Sequence, residues 1–149
     1  MKHGSESSLV NDRLNQSLAT SGLRFTRQRQ HIYDVLLQER DHPTAEEVCI
    51  RAKRIMPEIS LATVYNCLET LEKCGLVRQV NLERTASRYC PNMEEHCHFY
   101  CDHCARVYDI DLEFDRRATK LSVPKGFHAT AYEVSIRGTC PKCSGKINN

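Results

Sequence analysis

Apolar residues recur every three or four positions through the first half of the chain, a spacing typical of amphipathic helices. The pattern begins near Leu9, and its first two apolar faces are formed by Leu14, Leu18, Ile32, Val35 and Leu36. Residues 1–8 are polar and lack this period. We therefore predict a disordered tail at 1–8.

Two further helices are predicted from their capping residues. Thr44 and Glu47 have the spacing of a capping box that opens a third helix, which we expect Pro57 to end. Ser60 can cap a fourth helix, and Gly75 can close it. The third and fourth helices together predict a helix-turn-helix with a turn of three or four residues.

Short β-rich runs follow the fourth helix. The runs at 76–80 and 86–90 flank a polar stretch, which predicts a hairpin and completes the pattern of a winged helix. After Pro91, three strands and one helix are predicted, at 98–101, 105–110, 130–136 and 113–121 respectively.

The change in pattern predicts an α+β protein with two domains. We expect a winged helix-turn-helix domain at 9–83, a hinge at 84–95 and a small C-terminal α/β domain at 96–149. The second domain has few large apolar residues, so we expect its core to need a metal ion and a partner subunit.

The composition indicates a cytoplasmic protein with bound metal. Nine cysteines among 149 residues would suggest disulfides in a secreted chain, but the polar N-terminus has no signal-peptide pattern. No apolar run approaches the roughly 18 residues that a membrane span needs. The net charge of +2 does not by itself indicate nucleic-acid binding.

Four cysteines have the spacing of a structural zinc site. Cys101-Asp-His-Cys104 and Cys140-Pro-Lys-Cys143 are two C-x-x-C pairs, and thiolate ligands favour tetrahedral zinc. Four protein ligands leave no open coordination position, so the site should support structure. The alternative is two redox-active pairs, which would call for a βαβ unit that the pattern does not predict.

A second group of candidate ligands lies around the first pair. His96 and His98 share one face of an extended segment, opposite to that of Cys101. Cys90, Asp109, Asp111 and, in the first domain, His42 could complete a site with nitrogen, sulfur and oxygen ligands. The residues alone leave open the alternative of solvated histidines, a buried cysteine and a turn-capping aspartate.

Four motifs together resemble the ferric uptake regulator (Fur) family. They are Asp41-His-Pro-Thr44, Ser60-Leu-Ala-Thr-Val-Tyr-Asn66, His96-Cys-His-Phe-Tyr-Cys101 with Cys104, and Cys140-Pro-Lys-Cys143. The resemblance covers about residues 12–146. It implies a homodimeric, metal-dependent repressor of double-stranded operator DNA, with a C-terminal dimerisation domain, no membrane association and no small-molecule substrate.

The resemblance also implies a role for each candidate ligand. Structural zinc would be held by Cys101, Cys104, Cys140 and Cys143, and a regulatory metal by His42, Cys90, His96, His98 and Asp109. Cys90 stands where iron- and peroxide-sensing members usually have a carboxylate or an amide. It is most similar to the zinc-uptake regulator (Zur) branch, with the peroxide regulator (PerR) branch second. We therefore expect regulatory zinc, with iron or manganese as the alternative.

The fourth helix is the predicted reader of DNA. Its N-terminal turns carry Ser60, Thr63, Tyr65 and Asn66, of which Tyr65 and Asn66 are the predicted base contacts. The resemblance adds Arg24, and Arg27 extends a local basic patch. The alternatives are a solvated face for Thr63 and Arg27 and a core position for Tyr65.

Other classes of function fit the sequence less well. The H-x-E and H-E-x-x-H motifs of zinc enzymes, the P-loop and G-x-G-x-x-G are all absent, so we expect no enzymatic activity. A thiol switch at Cys90 or Cys97 on the same scaffold remains open. A zinc-ribbon adaptor would leave the helix-turn-helix unexplained.

Overall fold

The computed structural model describes residues 3–81, 85–94, 96–110, 123–130 and 134–147. The chain forms two compact units that divide after Met93. This division falls within the predicted hinge at 84–95.

Four helices build the first unit: α1 (His3–Thr20), α2 (Arg27–Gln38), α3 (Ala45–Ala52) and α4 (Leu61–Lys73). Each turns one apolar face inward, and the largest fully buried side chains of the helices are Leu14, Leu18, Ile32, Leu36, Val48, Val64, Leu68 and Leu71. The predicted apolar faces therefore meet in one core. The mixed helix and sheet fold is confirmed.

The helix α1 corrects the prediction of a disordered tail at 1–8. It begins at His3, because helix formation propagates backward from the buried turn at Leu14 and adds one hydrogen bond for each residue fixed. Hydrophobic periodicity cannot detect such an extension. Serine and glutamate cost little in a helix interior, so their presence at these positions does not oppose the extension.

The helix α3 is shorter than predicted and ends at Ala52, five residues before Pro57. The connection to α4 is therefore the eight residues 53–60, where we expected a turn of three or four. A contact distant in sequence occurs at this end, where Nε2 of buried His31 on α2 lies 2.9 Å from the Ala52 carbonyl oxygen. The chain then turns, and the amide of Met56 also donates to that carbonyl.

The caps of α3 and α4 agree with the prediction. Thr44 and Glu47 form both hydrogen bonds of a capping box, and the Ser60 side chain accepts a hydrogen bond from the Thr63 amide. Gly75 has a φ of +70°, and the amide of Leu76 donates to the Leu71 carbonyl at 3.0 Å. This closure by a left-handed residue is the usual end of a helix.

A hairpin follows α4 and completes the winged helix. The strands β1 (Arg78–Val80) and β2 (Arg88–Cys90) are antiparallel, with Arg78 opposite Cys90. The prediction of a hairpin is confirmed, although both strands are shorter than expected. Part of the polar stretch between them, at 82–84, lies outside the described residues.

The second unit contains a three-stranded sheet. The central strand β3 (Cys97–Cys101) pairs antiparallel with β4 (Val107–Ile110) and parallel with β5 (Ser135–Gly138). Of the predicted strand at 130–136, residues 135 and 136 lie in β5, which continues to Gly138 opposite Cys101, and residues 131–133 lie outside the described residues. A short helix, α5 (Pro141–Ile147), was not predicted, and the helix predicted at 113–121 lies outside the described residues.

No helix within the described ranges is both long enough and apolar enough to cross a membrane.

Replacing Gly75 tests the left-handed end of α4. A Cβ there would meet no atom within 4 Å, so the cost of Gly75→Ala comes from the backbone conformation alone. We expect the free energy of unfolding in urea to fall by about 1–2 kcal/mol. Gly75→Asn is the matched control, because asparagine tolerates this conformation, and an equal loss in both variants would contradict the explanation.

Candidate metal centres and nucleic-acid interface

The four cysteines of the two C-x-x-C pairs converge in the second unit. Their sulfur atoms all lie within 4.8 Å of one another. Cys101 ends β3 and Cys104 lies in the turn that follows, while Cys140 directly precedes α5 and Cys143 lies within it. The prediction that these side chains belong together agrees with this geometry.

Backbone hydrogen bonds hold the two pairs against each other. The Asp102 amide donates to the Gly138 carbonyl at 2.9 Å, and the Cys140 amide donates to the Cys101 sulfur at 3.4 Å. Gly138 allows a close approach, because a Cβ there would lie 3.2 Å from the ring of Phe99. The two pairs are therefore fixed by the ends of the parallel strands β3 and β5.

The thiols of this cluster strongly influence one another's ionisation. Hydrogen bonding from the Tyr108 hydroxyl, with further contributions from Cys143 and Cys101, lowers the pKa of Cys140 to about 6. The same Cys140 raises the pKa of Cys143 to about 12. Backbone hydrogen bonds, first from Cys104 and then from Cys140, lower the pKa of Cys101. Four thiolates at this distance require a cation among them, and the donor set fits a tetrahedral structural zinc site.

A second group of ligands in the same unit faces away from the cysteines. Nε2 of His96 lies 2.8 Å from Nε2 of His98, and Oδ1 of Asp109 lies 3.0 Å and 3.3 Å from these two atoms. Both imidazoles are buried, and Asp109 lies opposite His98 in the β3–β4 pairing. Two imidazoles and a carboxylate converging on one point form a donor set for a divalent cation.

The first unit contributes the other two predicted ligands. His42 lies in the loop before α3, and Cys90 ends β2. The two residues are 2% and 1% exposed, and the thiol and an imidazole nitrogen lie within 4.8 Å of each other. They are 48 positions apart in the sequence, so the fold of this unit creates the pair.

The predicted DNA-reading residues lie at the N-terminal end of α4. Tyr65 and Asn66 are exposed, which excludes the alternative of a core position for Tyr65. Ser60 and Thr63 bond to each other through their hydroxyls at 2.9 Å, in addition to the backbone cap. Ser60 and Thr63 therefore stabilise the start of α4, in addition to being predicted DNA contacts.

Arginines also lie at the start of α2 and just before it. Arg24 and Arg27 are exposed, and the guanidinium of Arg29 donates to the Arg24 carbonyl. Thr26 caps α2 by accepting from the Arg29 amide at 3.1 Å. The arginines of the predicted basic patch therefore lie beside the capped N-terminus of α2.

Sequence reasoning missed two partners of the predicted site residues. Glu46 accepts a hydrogen bond from the Tyr65 hydroxyl at 3.2 Å, and this bond raises the pKa of Tyr65. Tyr108 donates to Cys140. Glu46 resembles any acidic residue in a first helical turn, and Tyr108 resembles any aromatic residue in a strand, so neither position carried a distinguishing signal.

Comparisons with known proteins point to one family. The profile of the ferric uptake regulator family matches residues 20–137. A peroxide-responsive repressor from Staphylococcus aureus is 32% identical over 134 residues, which cover 87% of this chain and 88% of that protein.

Solved structures agree with this similarity. The Helicobacter pylori ferric uptake regulator has a TM-score of 0.78 at 23% identity, covering 93% of each chain, and therefore supports the fold. The Vibrio cholerae ferric uptake regulator has a TM-score of 0.69 at 29% identity and covers 85% of this chain and 98% of its own. The chain belongs to the ferric uptake regulator family of metal-responsive transcription repressors and is not an enzyme.

Proposed function

We propose that this chain is a cytoplasmic, homodimeric repressor that binds operator DNA when zinc occupies its regulatory site, and that it controls metal-uptake genes. The proposed regulatory ligands are His42, Cys90, His96, His98 and Asp109. The observation that carries the proposal is the buried thiol of Cys90 beside the buried imidazole of His42.

The nature of these donors supports zinc as the regulatory ion. A thiolate combined with imidazoles favours zinc over the harder ferrous and manganous ions, which prefer carboxylate and water. Cys90 is almost fully buried, so its sulfur is withdrawn from bulk solvent. Asp109 adds a negative charge beside the two imidazoles of the second unit.

The second proposed zinc is structural and is held by Cys101, Cys104, Cys140 and Cys143. Their mutual distances and their coupled ionisation support this assignment. The four side chains would complete the coordination, and no position would remain for a reacting molecule.

Ligands from both units suggest how metal binding controls DNA binding. His42 and Cys90 belong to the DNA-binding unit, whereas His96, His98 and Asp109 belong to the second unit. A bound ion supplies coordination bonds that exist only while both sets of ligands share it. We propose that this restraint sets the spacing of the two recognition helices in a dimer, which must match successive major grooves. An almost complete shift of population requires about 5.5 kcal/mol, within the range of additional metal bonds.

The second unit is the proposed dimerisation domain. Among its described residues, the buried large apolar side chains are Tyr100 and Val107, beside the buried cysteines. The few large buried side chains in the described part of this unit favour support from a metal ion and a partner subunit. A partner subunit would cover the remaining apolar surface.

On DNA, we propose that Tyr65 and Asn66 contact base edges and that Arg24 and Arg27 contact phosphates. The Tyr65 hydroxyl donates its proton to Glu46, so it would meet a base as an acceptor or through its ring edge. Ser60 and Thr63 would bring the positive end of the α4 dipole to the backbone.

A peroxide-responsive repressor is the second candidate. It is favoured by the 32% identity with the S. aureus protein of that name. Oxidation of a metal-bound thiolate at Cys90, or oxidation at Cys97, would release the metal and the DNA, with iron or manganese as possible regulatory ions.

Exchanging Cys90 tests the regulatory metal. We expect native protein to need zinc for operator binding, and we expect Cys90→Asp to respond instead to ferrous or manganous ions, because a carboxylate is a harder donor. A DNA titration with each ion measures this, and Cys74→Ser, a cysteine outside both clusters, is the control. Activation of native protein by iron or manganese, reversed by substoichiometric peroxide, would support the second candidate.

Removing one structural ligand tests the four-cysteine cluster. Cys143→Ser should release one zinc per chain and abolish the tertiary structure of the second unit, because structural zinc contributes on the order of 10 kcal/mol. Zinc content and near-ultraviolet circular dichroism measure this. Cys97→Ser alters a cysteine outside the cluster and should keep both signals.

Two substitutions separate base contacts from phosphate contacts. Asn66→Ala should lose about 1–3 kcal/mol of discrimination between the operator and a mutated operator. Arg27→Ala should weaken binding to both sequences alike and reduce the salt slope by about 1. Equal loss of discrimination in both variants would contradict the assigned roles.

A further inference from the structure

The loop that carries His42 has an unusual backbone. His42 has a φ of +54°, in the left-handed region, and its side chain is almost completely buried. A residue with a Cβ adopts this conformation at a cost, and it persists where neighbouring groups fix it. The contacts of this loop therefore help to fix the backbone of His42, a proposed metal ligand.

Arg88, on β2, contacts the ligand residue itself. Its Nη1 donates to the His42 carbonyl at 2.9 Å and lies 3.5 Å from Oε2 of Glu47. The same Oε2 accepts from the Thr44 amide at 2.9 Å and so completes the cap of α3. One mostly buried guanidinium thus links the His42 backbone to the start of α3.

Backbone pairing aligns the loop with the strand that carries Cys90. The Tyr89 amide donates to the Pro43 carbonyl at 3.0 Å, and Thr44 forms an antiparallel bridge with Arg88. Two positions after Arg88 the strand ends at Cys90. The spacing between the thiol and the imidazole is therefore set by this short pairing and by the Arg88 side chain.

A different arginine holds the opposite side of the loop. Arg51 donates two hydrogen bonds to the Asp41 carboxylate, at 2.8 Å and 2.6 Å. The distances in this pair are shorter than the 3.5 Å between Arg88 and Glu47. The pair joins the loop to α3, however, and not to β2. Replacing Arg51 therefore serves as the matched control, because it removes a charged contact of Asp41, the residue next to His42, without removing a contact to β2.

We propose that Arg88 is a positioning residue of the regulatory metal site. It fixes the His42 backbone against β2, so that the imidazole and the Cys90 thiol are presented as a pair before an ion arrives. This inference rests on the proposed function, in which both side chains are regulatory ligands. Groups that orient metal ligands typically change metal affinity by about 10- to 100-fold when they are removed.

The test uses the full-length protein with its structural zinc retained. Cobalt(II) is titrated into the native protein and into Arg88→Ala, Arg88→Lys, Arg51→Ala and His42→Ala, and the sulfur-to-cobalt absorption band reports on the Cys90 thiolate. Operator binding at saturating zinc and thermal unfolding without added metal are measured on the same samples.

We expect Arg88→Ala to weaken cobalt binding by about 10- to 100-fold and to recover native operator affinity at saturating zinc. Arg88→Lys should lie between native and alanine, because an ammonium can reach the carbonyl but lacks the planar guanidinium that fixes the direction of Nη1 toward both His42 and Glu47. Arg51→Ala should lower the unfolding temperature with a smaller effect on cobalt affinity.

The outcomes distinguish this inference from the proposed function. Unchanged metal dependence of operator binding in His42→Ala would overturn the proposed function. Loss in His42→Ala together with native cobalt affinity in Arg88→Ala would overturn the positioning role alone. Equal cobalt affinities in Arg88→Ala and Arg51→Ala, or operator binding by Arg88→Ala that saturating zinc fails to restore, would reduce Arg88 to a structural role and overturn the inference.

Discussion

Charge repulsion among four closely spaced cysteine sulfurs is the constraint on which the second unit depends. The sulfur atoms lie within 4.8 Å of one another, and the low pKa of Cys140 is accompanied by a high pKa at Cys143. Without a cation the cluster must retain protons, whereas a divalent ion allows all four sulfurs to be anions. The ends of β3 and β5 meet at this cluster, so the order of the sheet and the charge state of the thiols are coupled.

The same strand contributes to both groups of candidate metal ligands because side chains alternate along it. Cys101 faces one side of β3, while His98 faces the other with Asp109 beside it. The two groups of candidate ligands therefore lie on opposite faces of a single strand. Under the proposed function, one group would hold a structural ion while the other would bind and release the regulatory ion.

Local sequence signals predicted the features that depend on neighbours in the chain. The capping box at Thr44, the left-handed Gly75 and the two C-x-x-C pairs all operate within a few residues, and each was predicted correctly in place. Features that depend on distant contacts were not predicted. His31 on α2 contacts the carbonyl at the end of α3, and the Tyr65 hydroxyl on α4 bonds to Glu46 on α3. Neither contact leaves a periodic or spacing signal in the sequence.

The parallel pairing of β3 with β5 has a consequence for sequence divergence. Parallel strands run in the same direction, so the two cysteine pairs follow strand ends at the same edge of the sheet. The register of this pairing places Cys101 opposite Gly138, so it sets the distance between Cys101 and Cys140. A single residue added between Gly138 and Cys140 would therefore displace both Cys140 and Cys143, even though the strands could still pair.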